Sequence, residues 1–457
     1  MDDFFDDVPT KEEGENAPKK GVNAYLPPSN GGKRRKTVNA VTAILLAVAC
    51  FLLGGFTVWF SLDSEFRTLL KVKRSVQKNY YEDISDEEFY GALFHVVNND
   101  LLDAYSYYMT ADEYREAQGN LAGNRIGIGL VFQTKDENGN AQMQTVRVCG
   151  NSPAAKAGFR EGDFVIGYGK TSTTMVESTV FDEFSAFLNT MREGEPFHVV
   201  VRRGAETFTL TMSREEYVEN YVFYRTKETA FGFTGKKAGE WTETGEPLSC
   251  LPEDTAYIRL IQFGDDTEEP FAVAMERFKA DGKKNLVLDL RDNGGGYLET
   301  MKEIAGYFCK NATEKKPVVT VAEYKKHKEI FKAKRNAYKE YFLADSRICV
   351  LADSGTASAS ESLIGCMVDY GAIGFEDICL IERGGVAKTY GKGIMQTTYY
   401  LGAKLDALKL TTAEIRWPVS GKSIHSKGIL PEDGAKTVKE NGYGDGEIEK
   451  ALEVLFQ

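Results

Sequence analysis

The sequence predicts an α+β chain of several domains carried on one N-terminal transmembrane helix. Three observations lead there. An uncharged run covers 38 to 62, short β-rich runs fill 124 to 214, and from 255 onward strand-like and helix-like runs alternate. The 457 residues suffice for two or three domains with their own cores, and 42% hydrophobic with 27% charged residues is ordinary for globular protein. A net charge of −12 argues against nucleic-acid binding, which needs clustered Lys and Arg on phosphates.

The first 32 residues are acidic and rich in Pro, Gly and Asn, without a sustained period, and read as a disordered tail within 1–36. "KRRK" at 33–36 then precedes the uncharged run. Its 25 residues, at about 1.5 Å each, exceed a hydrocarbon core of roughly 30 Å, so 37–62 is expected to span a membrane with some tilt. The basic flank places the N-terminus in the cytoplasm and the remainder outside. A lipoprotein cleavage box ending at Cys50 fits poorly, because Ala47 stands where such boxes prefer Leu and twelve more uncharged residues follow Cys50.

Residues 63–120 read as a helical stalk. Phe66, Leu69, Leu70 and Val72, then Phe89, Leu93 and Val96, recur at helical spacing. Ser85 before Asp86, Glu87 and Glu88 is a helix start, and Thr110 supplies another. Across 121–216, "RIGIGLVFQT", "MQTVRVCG", "FVIGYG", "FHVVVRRG" and "ETFTLTM" are strand-like and "TVFDEFSAFLNTM" helix-like, giving a small β-rich domain. Across 217–440, "TAYIRLIQF", "NLVLDLR", "RICVLAD" and "DICLIE" are nearly continuous apolar strands with helical runs between them, the pattern of an α/β domain with a buried sheet. The charge-rich stretch 323–341 reads as a solvated surface insertion. A short C-terminal segment, 441–451, precedes "LEVLFQ" at 452–457, which has the sequence of a tag-cleavage remnant. Six cysteines follow the apolar run, and Cys349, Cys366 and Cys379 sit in apolar strings as small core residues. No CxxC pair or Cys/His cluster occurs, so neither a metal nor another cofactor is expected.

Two strand–turn–helix stretches could carry chemistry. In "LVLDLRDNGGGYLETM" three glycines can expose backbone amides at a helix start, although glycines also serve tight packing. In "RICVLADSGTASASESLIGCM" the hydroxyls of Thr356, Ser358, Ser360 and Ser362 alternate before a helix, where an isolated Ser ordinarily caps N–H groups. The four histidines, at 95, 198, 327 and 425, all lie far from this stretch, which disfavours a Ser–His–Asp triad. "GGVAKTYGKG" lacks the spacing of a nucleotide loop, with Gly393 where Ser or Thr should ligate magnesium.

Taken in order, "LLDAYSYYMTADEY", "NSPAAKAGFREGDFVIGYG", "AYIRLIQF", "LVLDLRDNGGG", "GTASASE", "KTYGKGIMQ" and "LKLTTAEIRWPVSGKSIHSKGILPE" resemble the C-terminal processing peptidases, or tail-specific serine proteases. The resemblance covers roughly 66–435. It implies a PDZ domain at 121–216 and a peptidase domain of crotonase/Clp-like fold at 217–440, with Ser358 as nucleophile and Lys392 of "YGKG" as general base. Lys388 is the weaker candidate for the base, and Thr356 stands where the family has Ser or Thr. Gln396 matches the residue that orients the lysine. On a straight strand Lys392 and Gln396 would lie about 13 Å apart, and whether Gly391 and Gly393 bend the chain is left open. The oxyanion donors implied are the N–H groups of Gly295 and Ala359. The implied carboxylate-binding loop of the PDZ domain is Gly127, Ile128, Gly129 and Leu130.

A lysine near pKa 10.4 becomes a base only when desolvated, and four scattered histidines are no obstacle to such a dyad. Departures from the family pattern are few: Gly294 replaces a common Pro, Ala104 another, and "VLAD" a more frequent Asn-containing strand end. The expected function is a single-pass bacterial membrane endopeptidase that cleaves extracytoplasmic proteins recruited by accessible C-termini. The family also implies a homodimer or a regulatory partner protein. The alternatives are a catalytically silent PDZ scaffold of the same fold, and a crotonase-like hydratase, which the anchor and PDZ domain disfavour.

Overall fold

The computed structural model describes residues 40–136, 138–233, 241–243, 247–265, 267–402, 406–439 and 445–456. It divides into two units between Phe89 and Tyr90. In the first, the helix Ala40–Ser61 is apolar around its whole circumference, exposes almost every side chain, and is long enough to cross a membrane. The helix Ser64–Asn79 follows, capped by Asp63, whose carboxylate accepts from Glu65 N at 3.2 Å. Ser85 starts the next helix as expected. Its hydroxyl accepts from Glu88 N at 3.1 Å while the Glu88 carboxylate accepts from Ser85 N at 2.7 Å.

The second unit opens with Thr110 and Glu113 in a full capping box at the helix Ala111–Leu121. The β-rich part is a six-stranded antiparallel sheet. Its path runs Leu130–Lys135, Ala141–Val148, Phe164–Gly169, Phe197–Arg203 and Glu206–Met212, with Met175–Glu177 beside the third. Phe197, Val199 and Val201 are fully buried at period two, against Met143 and Phe184 of the helix Phe181–Thr190. Leu130–Lys135 is an edge strand, paired only with Ala141–Val148 among the described residues. The run "RIGIGLVFQT" is two strands rather than one. Asn124–Gly127 leaves to pair with Glu215–Val218, and the chain breaks at Gly129, whose φ is +78°.

The larger part is built on an eight-stranded sheet whose centre is parallel: Thr255–Leu260, Asn285–Asp289, Ile348–Ala352, Ile378–Glu382 and Lys436–Lys439. Ile348–Ala352 is buried throughout, as its unbroken apolar run requires. One face packs the helices Glu268–Ala280, Leu298–Ala305 and Ala359–Asp369, and Cys366 is fully buried there. The other face packs the helix Asp445–Leu455 against Val287, Cys349, Leu351, Cys379 and Ile381. Residues 452–455 of the expected remnant complete that helix, with Leu452 and Leu455 buried, so this part packs with the fold. The charged stretch 323–341 is less superficial than its composition suggests. Val318–Tyr324 and Lys328–Lys332 form an antiparallel hairpin, and Phe331, Ala337, Tyr338 and Tyr341 enter the main core. Its charged side chains stay at the surface, and Ile330 with them is exposed.

Candidate active site

Two adjacent parallel strands deliver the site. Asn285–Asp289 and Ile348–Ala352 both end at the same sheet edge, so the turns 292–296 and 353–358 meet beyond their carboxyl ends. The turns are stitched to each other. Asp353 Oδ1 accepts from Asp292 N and Gly355 N, each at 3.0 Å, and Ala357 N donates to Asn293 O at 3.0 Å.

The four alternating hydroxyls separate cleanly. Thr356 is buried and donates to Leu290 O at 2.7 Å, Ser360 donates to Asn293 O at 2.9 Å, and Ser362 meets Thr320 Oγ1 at 3.0 Å. Ser358 instead lines a cavity of about 560 Å³, together with Lys392, Gln396, Lys409, Tyr297 and the glycines 294–296. An ordinary N-cap has β-region angles, but Ser358 sits at φ 57°, ψ −115°, a strained conformation that the two turns hold in place.

Lys392 lies in the turn before the strand Ile394–Leu401, not on it. Gly391, at φ +89°, makes that turn possible, since a Cβ there would fall 2.9 Å from Gly428 N. A register shift then falls between Met395 and Gln396, and Lys392 and Gln396 line one cavity despite their separation in sequence. Gln396 Nε2 donates to Thr411 Oγ1 at 3.3 Å. The Lys392 ammonium sits 4.7 Å from the Tyr105 ring centroid. Burial, and then the Lys409 charge, push its pKa down to about 8, against the opposing carboxylates of Asp103 and Glu361. Lys388 does not line this cavity.

Glu361 joins the two halves and was not singled out by sequence. Its side chain is fully buried, and its carboxylate accepts from Ser358 N (2.9 Å), Gly391 N (2.7 Å), Lys392 N (2.9 Å) and Thr389 Oγ1 (2.6 Å). One side chain thereby fixes the backbones of Ser358 and Lys392 to each other. The available signal was the acid three residues after Ser358, which sequence alone reads as a capping-box partner.

The glycine turn faces Ser358 closely. A Cβ on Gly295 would lie 2.8 Å from Ser358 Cβ and 2.9 Å from Ala359 N, and one on Gly296 would lie 2.2 Å from Phe263 O. Gly294, where the family commonly has Pro, has open space around it. The Gly295 N–H is directed at Asn293 Oδ1, 2.9 Å away, rather than into the cavity. Ala359 N opens the first turn of its helix beside Gly295.

Gly127, Ile128, Gly129 and Leu130 line a second cavity, of about 340 Å³, between the edge strand Leu130–Lys135 and the helix Phe181–Thr190. Phe181, Ser185 and Leu188 form its helical wall. Gly129 is required there, because a Cβ would fall 2.1 Å from Ser152 Cβ. Arg147, which pairs with the buried Glu219, lines both cavities.

Residues 254–433 match the family model described as Peptidase family S41. A probable CtpA-like serine protease of Staphylococcus saprophyticus is 30% identical over 413 residues, covering 88% of this chain and 72% of that protein. Its counterpart in Staphylococcus epidermidis is 26% identical, covering 83% of this chain and 68% of its own. Among solved structures, a putative S41 protease from Bacteroides fragilis superposes with a TM-score of 0.52 at 14% identity, over 83% of this chain and 91% of that one. At that identity the likeness is one of fold.

Proposed function

The chain belongs to peptidase family S41 as a CtpA-like serine protease, and from that premise we propose that it is a membrane-anchored endopeptidase working through a Ser358–Lys392 dyad. The observation that carries the reading is the shared cavity, with both backbones held by Glu361. Neutral Lys392 takes the Ser358 hydroxyl proton as Oγ bonds to the scissile carbonyl carbon. The tetrahedral oxyanion is received by Ala359 N–H, joined by Gly295 N–H once that peptide turns from Asn293. Collapse breaks the C–N bond and Lys392 returns the proton to the leaving amine, leaving an acyl-enzyme on Ser358. Water, deprotonated by the same lysine, then adds to the acyl carbon. The Ser358 Oγ–C bond breaks, Lys392 returns the proton to Oγ, and the new carboxylic acid leaves and ionises. Gln396 orients Lys392 from the neighbouring strand.

The region 121–216 is assigned as a PDZ domain that receives the C-termini of protein substrates. A groove between a free sheet edge and a helix, closed by the loop 127–130, suits β-addition of a chain end. The apolar helix at the N-terminus, preceded by "KRRK", anchors the chain in a bacterial cell membrane with the peptidase outside. The remaining layout follows: a helical stalk and N-terminal region 63–120, whose last part from Tyr107 lines the cavity, a peptidase domain 217–440 and a C-terminal segment from 441.

Ser358→Ala and Lys392→Ala are each expected to abolish cleavage of an unstructured protein while melting temperature is retained, and Lys388→Ala to leave cleavage intact. Undiminished proteolysis by the Lys392 variant would remove the dyad. Loss of activity in the Lys388 variant would exchange the two lysines.

A further inference from the structure

Behind the two catalytic turns lies a cluster of charges that the mechanism does not use. Glu447, on the helix Asp445–Leu455, is fully buried on the opposite face of the sheet. Its Oε2 accepts from Arg291 Nη1 at 2.6 Å and from Arg383 Nη2 at 2.9 Å, and its Oε1 accepts from Arg383 Nη1. Arg291 is itself 3% exposed and grips Asp289 with Nε at 3.0 Å and Nη2 at 2.6 Å. Arg383 Nε reaches Asp353 Oδ2 at 3.3 Å.

Each arginine leads to one of the turns. Arg291 is the residue immediately before the turn 292–296. Asp353 opens the turn to Ser358, and its other oxygen accepts the N–H groups of Asp292 and Gly355, one from each turn. A single carboxylate on the C-terminal helix therefore bridges the two arginines, each of which also pairs with a carboxylate next to one of the turns. Without it, Arg383 would lose both of its hydrogen bonds to Glu447 while its contact with Asp353 remained. A guanidinium drawn fully onto Asp353 would pull that carboxylate from the two amides that set the spacing of the turns. Buried ion clusters are a poor way to stabilise a fold compared with apolar packing of the same volume.

We propose that Glu447 is a positioning residue for catalysis, holding the oxyanion turn and the Ser358 turn in register through Arg291 and Arg383. This rests on the reading of Ser358 as nucleophile.

The test uses the full chain in detergent micelles, an internally quenched peptide with a free C-terminus, and active sites counted with a fluorophosphonate. For Glu447→Gln, kcat per titrated site is expected to fall about 10- to 100-fold, because misplacing an oxyanion donor by even 1 Å is felt on that scale. KM is expected to change by less than about threefold, since no substrate contact is removed. Glu447→Asp, which keeps the charge but withdraws it by one methylene, should fall between the parent and the glutamine variant. A purely structural role would lower Tm and the titratable fraction while kcat per site stayed at the parental value, and that result overturns the proposal. If the glutamine variant yields no folded protein, Glu447→Asp decides: a reduced kcat per site supports positioning and a parental one overturns it. Turnover by Ser358→Ala would instead sink the catalytic reading itself. An inactive Ser358→Ala beside a fully active Glu447→Gln sinks only the role of Glu447.

Discussion

Lys392 combines partial burial, an aromatic face and a second lysine, and each bears on when it can act. Desolvation and the neighbouring Lys409 charge both disfavour the ammonium, so its pKa falls to about 8. In the proposed role as base Lys392 must be neutral, so kcat/KM should rise with pH through about 8 and level off above it. Lys409→Met removes one of the two depressing influences and should move the rise to higher pH, costing activity at pH 7 but little at pH 9. A pH–rate profile that does not move would show that Lys409 does not act on the base. Gly295 presents a steric argument instead. Its φ is +98°, and a Cβ there would stand within 3 Å of Ser358 Cβ, Ala357 O and Ala359 N, so it has no room for alanine. Gly295→Ala should lower kcat by more than about 100-fold, the scale for loss of an oxyanion donor, at a stability cost of about 1–3 kcal/mol from strain. Wild-type turnover in that variant would place the oxyanion donors elsewhere.

At the scale of elements, the proposed recruitment groove and the proposed catalytic cavity are lined largely by different elements and share Arg147. The groove between Leu130–Lys135 and Phe181–Thr190 offers main-chain groups along a free edge, and a chain end seated there would bring its carboxylate to the loop 127–130. Amidating a substrate's C-terminus should therefore raise KM while leaving kcat nearly unchanged. Equal KM for acid and amide would detach the groove from recruitment. The elements themselves were largely legible. Glu206–Met212 coincides with "ETFTLTM", and the four apolar strands of the parallel sheet fall inside the runs that announce them, because full burial leaves an unbroken apolar string. The break at Gly129 and the reach of 323–341 into the core were not legible, since each depends on which distant segment a strand pairs with. The same holds for the site. Ser358 and Lys392 stand in motifs, but Glu361 acquires three of its four donors only when 389–392 folds back over the Ser358 helix. Nothing local distinguishes it from a routine acid in a first turn.

For the whole molecule, the central question is what the helix Ala40–Ser61 does. A helix that buries its apolar residues against its own chain reads as core, but this one exposes apolar side chains around its circumference, over 22 residues without a charge. Left in water, that surface would be a large unsatisfied apolar patch, whereas 22 residues at about 1.5 Å match a hydrocarbon core of roughly 30 Å. The boundary between the two structural units falls well after it, at Phe89, and among the described residues the candidate active-site cavity is lined from Tyr107 onward. Anchoring and chemistry should therefore separate. A chain lacking residues 1–62 is expected to leave the membrane fraction and to cleave a soluble unstructured protein with kcat/KM within about threefold of the full chain, since no cavity-lining group is removed. The full chain should instead need detergent for extraction and resist release by high salt or alkaline carbonate, which strip proteins held by charge alone. Extraction of the full chain by carbonate would mean that the helix does not span a bilayer. Loss of activity on truncation would mean that the first unit does more than tether the second.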